Sequence, residues 1–136
     1  MSIEPGLFAH LAADAGVASL VGSRIYPDRL PEAAPLPAIT YQRVSTVAEQ
    51  GVGGLAGLSS ARVQLTAWAE GPGRYAAAKE IAGAVAQSLS GFRGAWGSVP
   101  ISGINYDGSY DIDGDPEAEL VGVGVDVIIW HRAPVP

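Results

Sequence analysis

Residues 119–131, ELVGVGVDVIIWH, alternate so strictly that one conformation satisfies them. Val121, Val123, Val125, Val127 and Ile129 fall on a single side of an extended strand, because successive side chains of a strand point to opposite faces. A helix would throw the same five residues onto opposing sides. A strand with so apolar a face needs something to bury it against, which commits the chain to a sheet with cover. The other side carries Gly122, Gly124, Asp126, Ile128 and Trp130, half of it bare backbone and half bulky.

Two further stretches share this period. AITYQRVSTV, residues 38–47, is rich in β-favouring residues. ARVQLTAWA, residues 61–69, sets Val63, Leu65 and Ala67 against Arg62, Gln64, Thr66 and Trp68. They are expected to pair as a hairpin with a long loop, and VPISGINYD, residues 99–107, reads as another strand. Helical spacing appears twice. Ile3, Leu7 and Leu11, with Phe8 and Ala15 beside them, form one stripe, with Ser2 as N-cap, Pro5 in the first turn and Gly16 as interruption; VASLV, residues 17–21, adds a turn. Tyr75, Ala78, Ala82, Val85 and Leu89 form the other, opened by Gly71 and Pro72, with Pro72 at the first helical position, and stopped by Gly91. Between the first helix and the first strand, Pro27, Pro31, Pro35 and Pro37 forbid a continued helix, so this segment is a crossing.

The order predicts an α+β fold: a small mixed, mainly antiparallel sheet of about four strands with two helices packed on it, in one domain over residues 1–136. At this length roughly two-thirds of the unfolded surface is buried on folding, enough for one core. The face of the last strand with Gly122, Gly124, Ile128 and Trp130, and the equivalent face holding Trp68, has two readings: the first helix covers it, or it is a subunit interface.

GVGGLAG, residues 51–57, satisfies a permissive dinucleotide fingerprint through Gly51, Gly53 and Ala56. A phosphate-binding glycine turn needs a helix N-terminus after it, because that end supplies the unpaired N–H groups. Here a period-two segment follows, so the glycines read as a hairpin loop. Asp111, Asp113 and Asp115 have the first three spacings of a calcium loop, but Pro116 replaces its sharp-turn glycine and Gly122 its twelfth-position acid. The stretch reads as an acidic hairpin tip, with weak divalent-ion binding as the alternative. His10 and His131 stand without an activated-nucleophile motif and without metal-ligand spacing, so no catalytic residue, cofactor or metal is expected.

A net charge of −6 with eight scattered basic residues argues against a grip on nucleic acid, which draws its affinity from cations that displace counterions. No apolar run reaches membrane-spanning length, and the N-terminus has no basic region followed by an apolar core. Without Cys there is no disulfide framework or thiolate site.

The whole order, LAADAGVASLVGSRIYPDRLPEAAPLPAITYQRVS, then GLSSARVQLTAWA, then an alanine-rich helix ending SLSGFRGAWG, then DPEAELVGVGVDVIIWH, resembles the tail completion or tail terminator proteins of long-tailed phages and the related gene transfer agents. The pieces that carry it are SRIYPDRLP leading into PLPAITYQRVS, the strand ending in Trp68, and the last strand ending IIWH. The resemblance implies a structural, non-enzymatic virion protein assembled in the host cytoplasm. Its expected form is a ring, usually hexameric, at the head-proximal end of the tail tube, where it stops polymerisation and joins the tail to the head. The partners it implies are further copies of the chain, the tail tube protein and the head-tail connector protein. DNA passes through without specific binding, and no membrane is involved. The alternatives are another virion adaptor or oligomeric binding module, and a small metal-dependent enzyme using the acidic loop. The residues expected at the interface are Gly51, Gly53, Gly54, Leu55, Leu58, Trp68, Asp111, Asp113, Asp115, Ile128 and Trp130.

Overall fold

The computed structural model describes residues 3–48 and 58–132. The chain runs α1 (Glu4–Ala13), α2 (Ala15–Val21), β1 (Ile25–Pro27), β2 (Ala38–Ala48), β3 (Leu58–Glu70), α3 (Arg74–Leu89), β4 (Gly94–Trp96), β5 (Val99–Ile112) and β6 (Leu120–Arg132). The strands form one sheet in the order β1-β2-β3-β6-β5-β4. Only β1 and β2 are parallel. The expected α+β class and antiparallel bias hold, but the described residues contain six strands and three helices rather than four and two. The additions are short. β1 and β4 have three residues each, fewer than a period-two pattern needs to become visible, and they exist because longer neighbours supply their ladders.

The helical boundaries also differ from expectation. The break after α1 falls at Asp14, whose extended backbone (φ −75°, ψ 121°) ends one helix and caps the next by accepting the Val17 N–H at 3.0 Å. Gly16 sits inside α2, Ala15 is exposed, and Val17 and Val21 continue the buried stripe. The N-cap position of α1 belongs to Ile3, which makes no side-chain cap bond; Ser2 lies outside the described residues. In α3 the cap is Gly73, left-handed at φ +75°, so Pro72 lies in the preceding turn. Gly91 does stop α3: it is left-handed at φ +78°, a conformation that favours glycine, and its N–H donates to Ile104 O.

All three helices pack on one face of the sheet. Leu7 and Leu11 of α1, Val17 and Val21 of α2, and Ala78, Ile81, Ala82, Val85 and Leu89 of α3 share one core with the odd-numbered residues of β3 (Ala61 to Ala69) and β6 (Val123 to Ile129). Small residues on α3 let it lie close to the strands. Tyr75, expected on the buried stripe, is 46% exposed; its hydroxyl donates to Asp111 of β5 at 3.0 Å, with Lys79 Nζ 4.0 Å from the same carboxylate. Where α1 meets β4, Gly6 lies against Trp96 so closely that an added Cβ would stand 2.2 Å from the Trp96 Cβ. His10 joins this contact. Trp96 Nε1–H donates to His10 Nδ1 at 3.4 Å, which leaves the ring proton on Nε2, facing Ser88 O at 3.0 Å. Both ring nitrogens are thus used in packing. No helix among the described residues is long and apolar enough to cross a membrane.

Candidate functional site

The sheet face opposite the helices is built from rows that the strand register defines. Reading across β2, β3, β6 and β5, the rows are Ala38–Trp68–Gly122–Ile112, Thr40–Thr66–Gly124–Tyr110, Gln42–Gln64–Asp126–Gly108, Ser45–Arg62–Ile128–Asn105 and Val47–Ser60–Trp130–Gly103. Since α1 lies with α2 and α3 on the other side, the reading in which the first helix covers this face does not hold. Among the described residues no helix lies over this face.

Its glycines are not bare, however, and here the structure corrects the sequence reading. A Cβ at Gly122 would stand 2.9 Å from the Trp68 ring, and one at Gly124 would stand 2.6 Å from the Tyr110 ring. Each aromatic lies against the glycine beside it on the neighbouring strand, so the bulky and the empty positions fill one another. Polar bonds fix the rings. Trp68 Nε1–H donates to Thr40 Oγ1 at 3.0 Å, and the Tyr110 hydroxyl donates to Asp126 Oδ1 at 3.0 Å. Burial, followed by the Asp126 carboxylate that holds the proton, pushes the Tyr110 phenol up to about 12. A shallow concavity of about 180 Å³ opens beside these rings, lined by Asp28, Thr40, Gln42, Gln64, Thr66, Trp68 and Ile112. It is polar and holds no activated nucleophile.

The structure separates the residues expected at the interface. Leu58, Trp68, Ile128 and Trp130 occupy this open face, yet Trp68 pairs with Gly122 and Trp130 with Ser60, roughly 26 Å apart along the strands at about 3.3 Å per residue. Asp111 belongs to the helix side, where Tyr75 and Lys79 hold it. Asp113 and Asp115 lie in the connection between β5 and β6, where Asp115 accepts the Glu117 N–H and closes the turn. Gly51, Gly53, Gly54 and Leu55 fall outside the described residues. Among the described residues no three His, Asp or Glu side chains converge as a metal-binding group.

One polar cluster escaped the sequence reading. His131 points into the core, 6% exposed, and neither ring nitrogen has a hydrogen-bond partner among the described residues. Burial and the nearby Arg43 charge lower its pKa, against an opposing pull from Glu4. Arg43 Nε and Glu4 Oε1 form an ion pair at 3.2 Å. The signal was present: position 131 shares parity with Val127 and Ile129. Three other arginines are also engaged. Arg62 pairs with Asp107, Arg24 Nε–H donates to Pro37 O at 2.7 Å, and Arg29 lies 3.7 Å from Asp28.

Among the described residues the sheet is covered by helices on one side, and its open face is filled in part by its own aromatics. The chain belongs to the tail completion protein gp17 family, whose model matches residues 5–132. Among solved structures, a chain of the virion of a native gene transfer agent particle superposes with a TM-score of 0.80 at 19% identity, covering 97% of this chain and 96% of that one. That likeness is one of fold. No curated protein matches the sequence. The family is one of structural, non-enzymatic phage tail proteins, and the chain is accordingly a virion component with a tail role.

Proposed function

We propose that the chain is a tail terminator subunit. Copies form a closed ring, hexameric as the sequence resemblance implies, that sits on the head-proximal end of the tail tube, halts its polymerisation and presents the surface to which the head connector joins. The observation that carries this reading, beyond family membership, is the one-sided cover of the sheet. Among the described residues, three helices on a single face leave the opposite face and the longer part of the β2 and β5 edges uncovered, and a contact between unlike surfaces closes into a ring when its rotation permits.

The test is made on particles. A producing strain that lacks this chain should assemble tubes of unregulated length that do not join heads, and adding the purified protein to polymerising tube subunits should arrest growth at one end. Tails of normal length joined to heads in the deletion strain would refute the terminator role and favour an adaptor elsewhere in the virion. Analytical sedimentation of the purified chain, alone and with tubes, supplies the stoichiometry.

A further inference from the structure

Two long strand segments stand uncovered at opposite sides of the sheet. β1 pairs with β2 only through Ile39–Tyr41. No described strand lies beside β2 after that point, and every residue from Gln42 to Val47 is exposed, Val44 at 55% and Val47 at 53%. On the far side β4 pairs with β5 only through Val99–Ile101, and β5 continues to Ile112 with no described strand on its outer side. Tyr106 and Tyr110 are 46% and 37% exposed there. Apart from the Ile104 carbonyl, which accepts the Gly91 N–H, an edge of this length that no described strand covers, with its row of N–H and C=O groups, is a template for another strand. Neither Gln42–Ala48 nor Gly103–Ile112 contains a lysine or a proline, the residues that commonly blunt such an edge.

We propose that in the assembled protein the Gln42–Ala48 edge of one copy pairs with the Gly103–Ile112 edge of the next. Two features select this occupant. Each neighbouring pair in β2-β3-β6-β5 is antiparallel, so β2 and β5 run in opposite directions. A second copy placed beside the first with its sheet facing the same way therefore extends the sheet by another antiparallel ladder. The edges lie on opposite sides of one subunit, which makes the contact head-to-tail, as a closed ring requires. Each segment has a bulge, between Arg43 and Ser45 and between Tyr106 and Gly108, which divides the ladder and adds local twist to it. The proposal rests on the ring reading and specifies its subunit contact.

The chain has no cysteine, so introduced thiols report contacts without background. Double variants combining Ser45→Cys or Val47→Cys with Asn105→Cys on the open face, or Thr46→Cys with Ser109→Cys on the helix face, should, when oxidised, give a covalent ladder in at least one combination, since a disulfide needs Cα atoms within about 7 Å. Each single variant alone should stay uncrosslinked, while a mixture of the two singles of that combination should give dimers. Amide exchange in both segments of the unmodified protein should slow at least tenfold on assembly. Singles that crosslink to themselves would overturn the head-to-tail contact. An oligomer intact in sedimentation that gives no crosslink in any combination and no slowing in either segment would overturn edge pairing while leaving the ring. A strict monomer that also fails to cap tubes would overturn both.

Discussion

Replacing Gly6 by Ala tests the packing of α1 against β4, because two physical effects predict opposite signs. Helix propensity favours Ala over Gly by about 1 kcal/mol in a helix interior. The structure opposes it: the new methyl would stand 2.2 Å from the Trp96 Cβ and 2.7 Å from its Cγ, atoms at the root of the side chain that cannot swing aside. Reaching ordinary contact at 3.4–4 Å requires the two groups to separate by about 1.2–1.8 Å, and overpacking of this kind costs ~1–3 kcal/mol, occasionally more. The separation would also loosen the stacked Phe92–Trp96 pair and the His10 bonds. A net loss of about 2 kcal/mol is expected, a fall in Tm of ~4–8 °C for a domain of this size. Gly83→Ala is the internal control, since Gly83 lies in α3 with nothing within 4 Å of the added methyl, and it should raise stability by about 0.5–1 kcal/mol. Urea unfolding of the three proteins under one condition decides the matter. A Gly6→Ala variant as stable as the parent, or more so, would refute the close α1–β4 contact.

Trp68→Phe keeps a ring over Gly122 but leaves the buried Thr40 hydroxyl without its donor, and should cost about 1–2 kcal/mol in urea unfolding; no change would mean the bond contributes nothing. His131, buried and near the Arg43 and Glu4 charges, has a folded pKa below its unfolded one. Its contribution is therefore intact above the unfolded value of about 6.5 and is lost as pH falls through it. Wild type should lose more stability between pH 7.5 and 5.5 than His131→Leu does, and equal losses would show that His131 is not the group responsible. Duplex DNA should bind negligibly near physiological salt, because Arg24, Arg29, Arg43 and Arg62 each already have an acidic or carbonyl partner. A titration that reveals binding with a steep dependence on falling salt would contradict that.

The elements legible in the sequence are those whose own side chains set the pattern. β2, β3, β6 and α3 each carry enough alternating or three-and-four-spaced apolar residues to declare their period, and their observed bounds lie within a few residues of expectation. β1 and β4 were invisible because three residues show no period; Ile25–Pro27 becomes a strand only through Ile39–Tyr41. The break at Asp14 was misplaced onto Gly16 because glycine is the commoner interrupter, whereas an aspartate that leaves one helix and caps the next does both jobs with one side chain. Placement of the helices was beyond a one-dimensional pattern: periodicity assigns residues to faces but does not say which face a distant helix will take.

The open face shows the same limit in finer form. Trp68 and Trp130 look alike in sequence, each closing an alternating strand beside small residues. Register distinguishes them: Trp68 stands opposite Gly122 and lies over it, its N–H bound to Thr40, so its apolar surface is already matched within the chain. Trp130 stands opposite Ser60 and Gly103, in the row that ends at the exposed Val47. Tyr110 repeats the first arrangement over Gly124, and Ile128 shares the second with Arg62 and Asn105. One end of the face is thus complemented internally by rings over glycines, while the other holds the half-buried Ile128 and Trp130 and the exposed Val47, next to the part of the β2 edge that no described strand covers. Burying apolar surface stabilises an association only where that surface is still in contact with water. A partner should therefore gain more at the Trp130 end than at the Trp68 end, and Trp130→Ala should weaken assembly with little effect on the fold, whereas Trp68→Ala should destabilise the subunit itself.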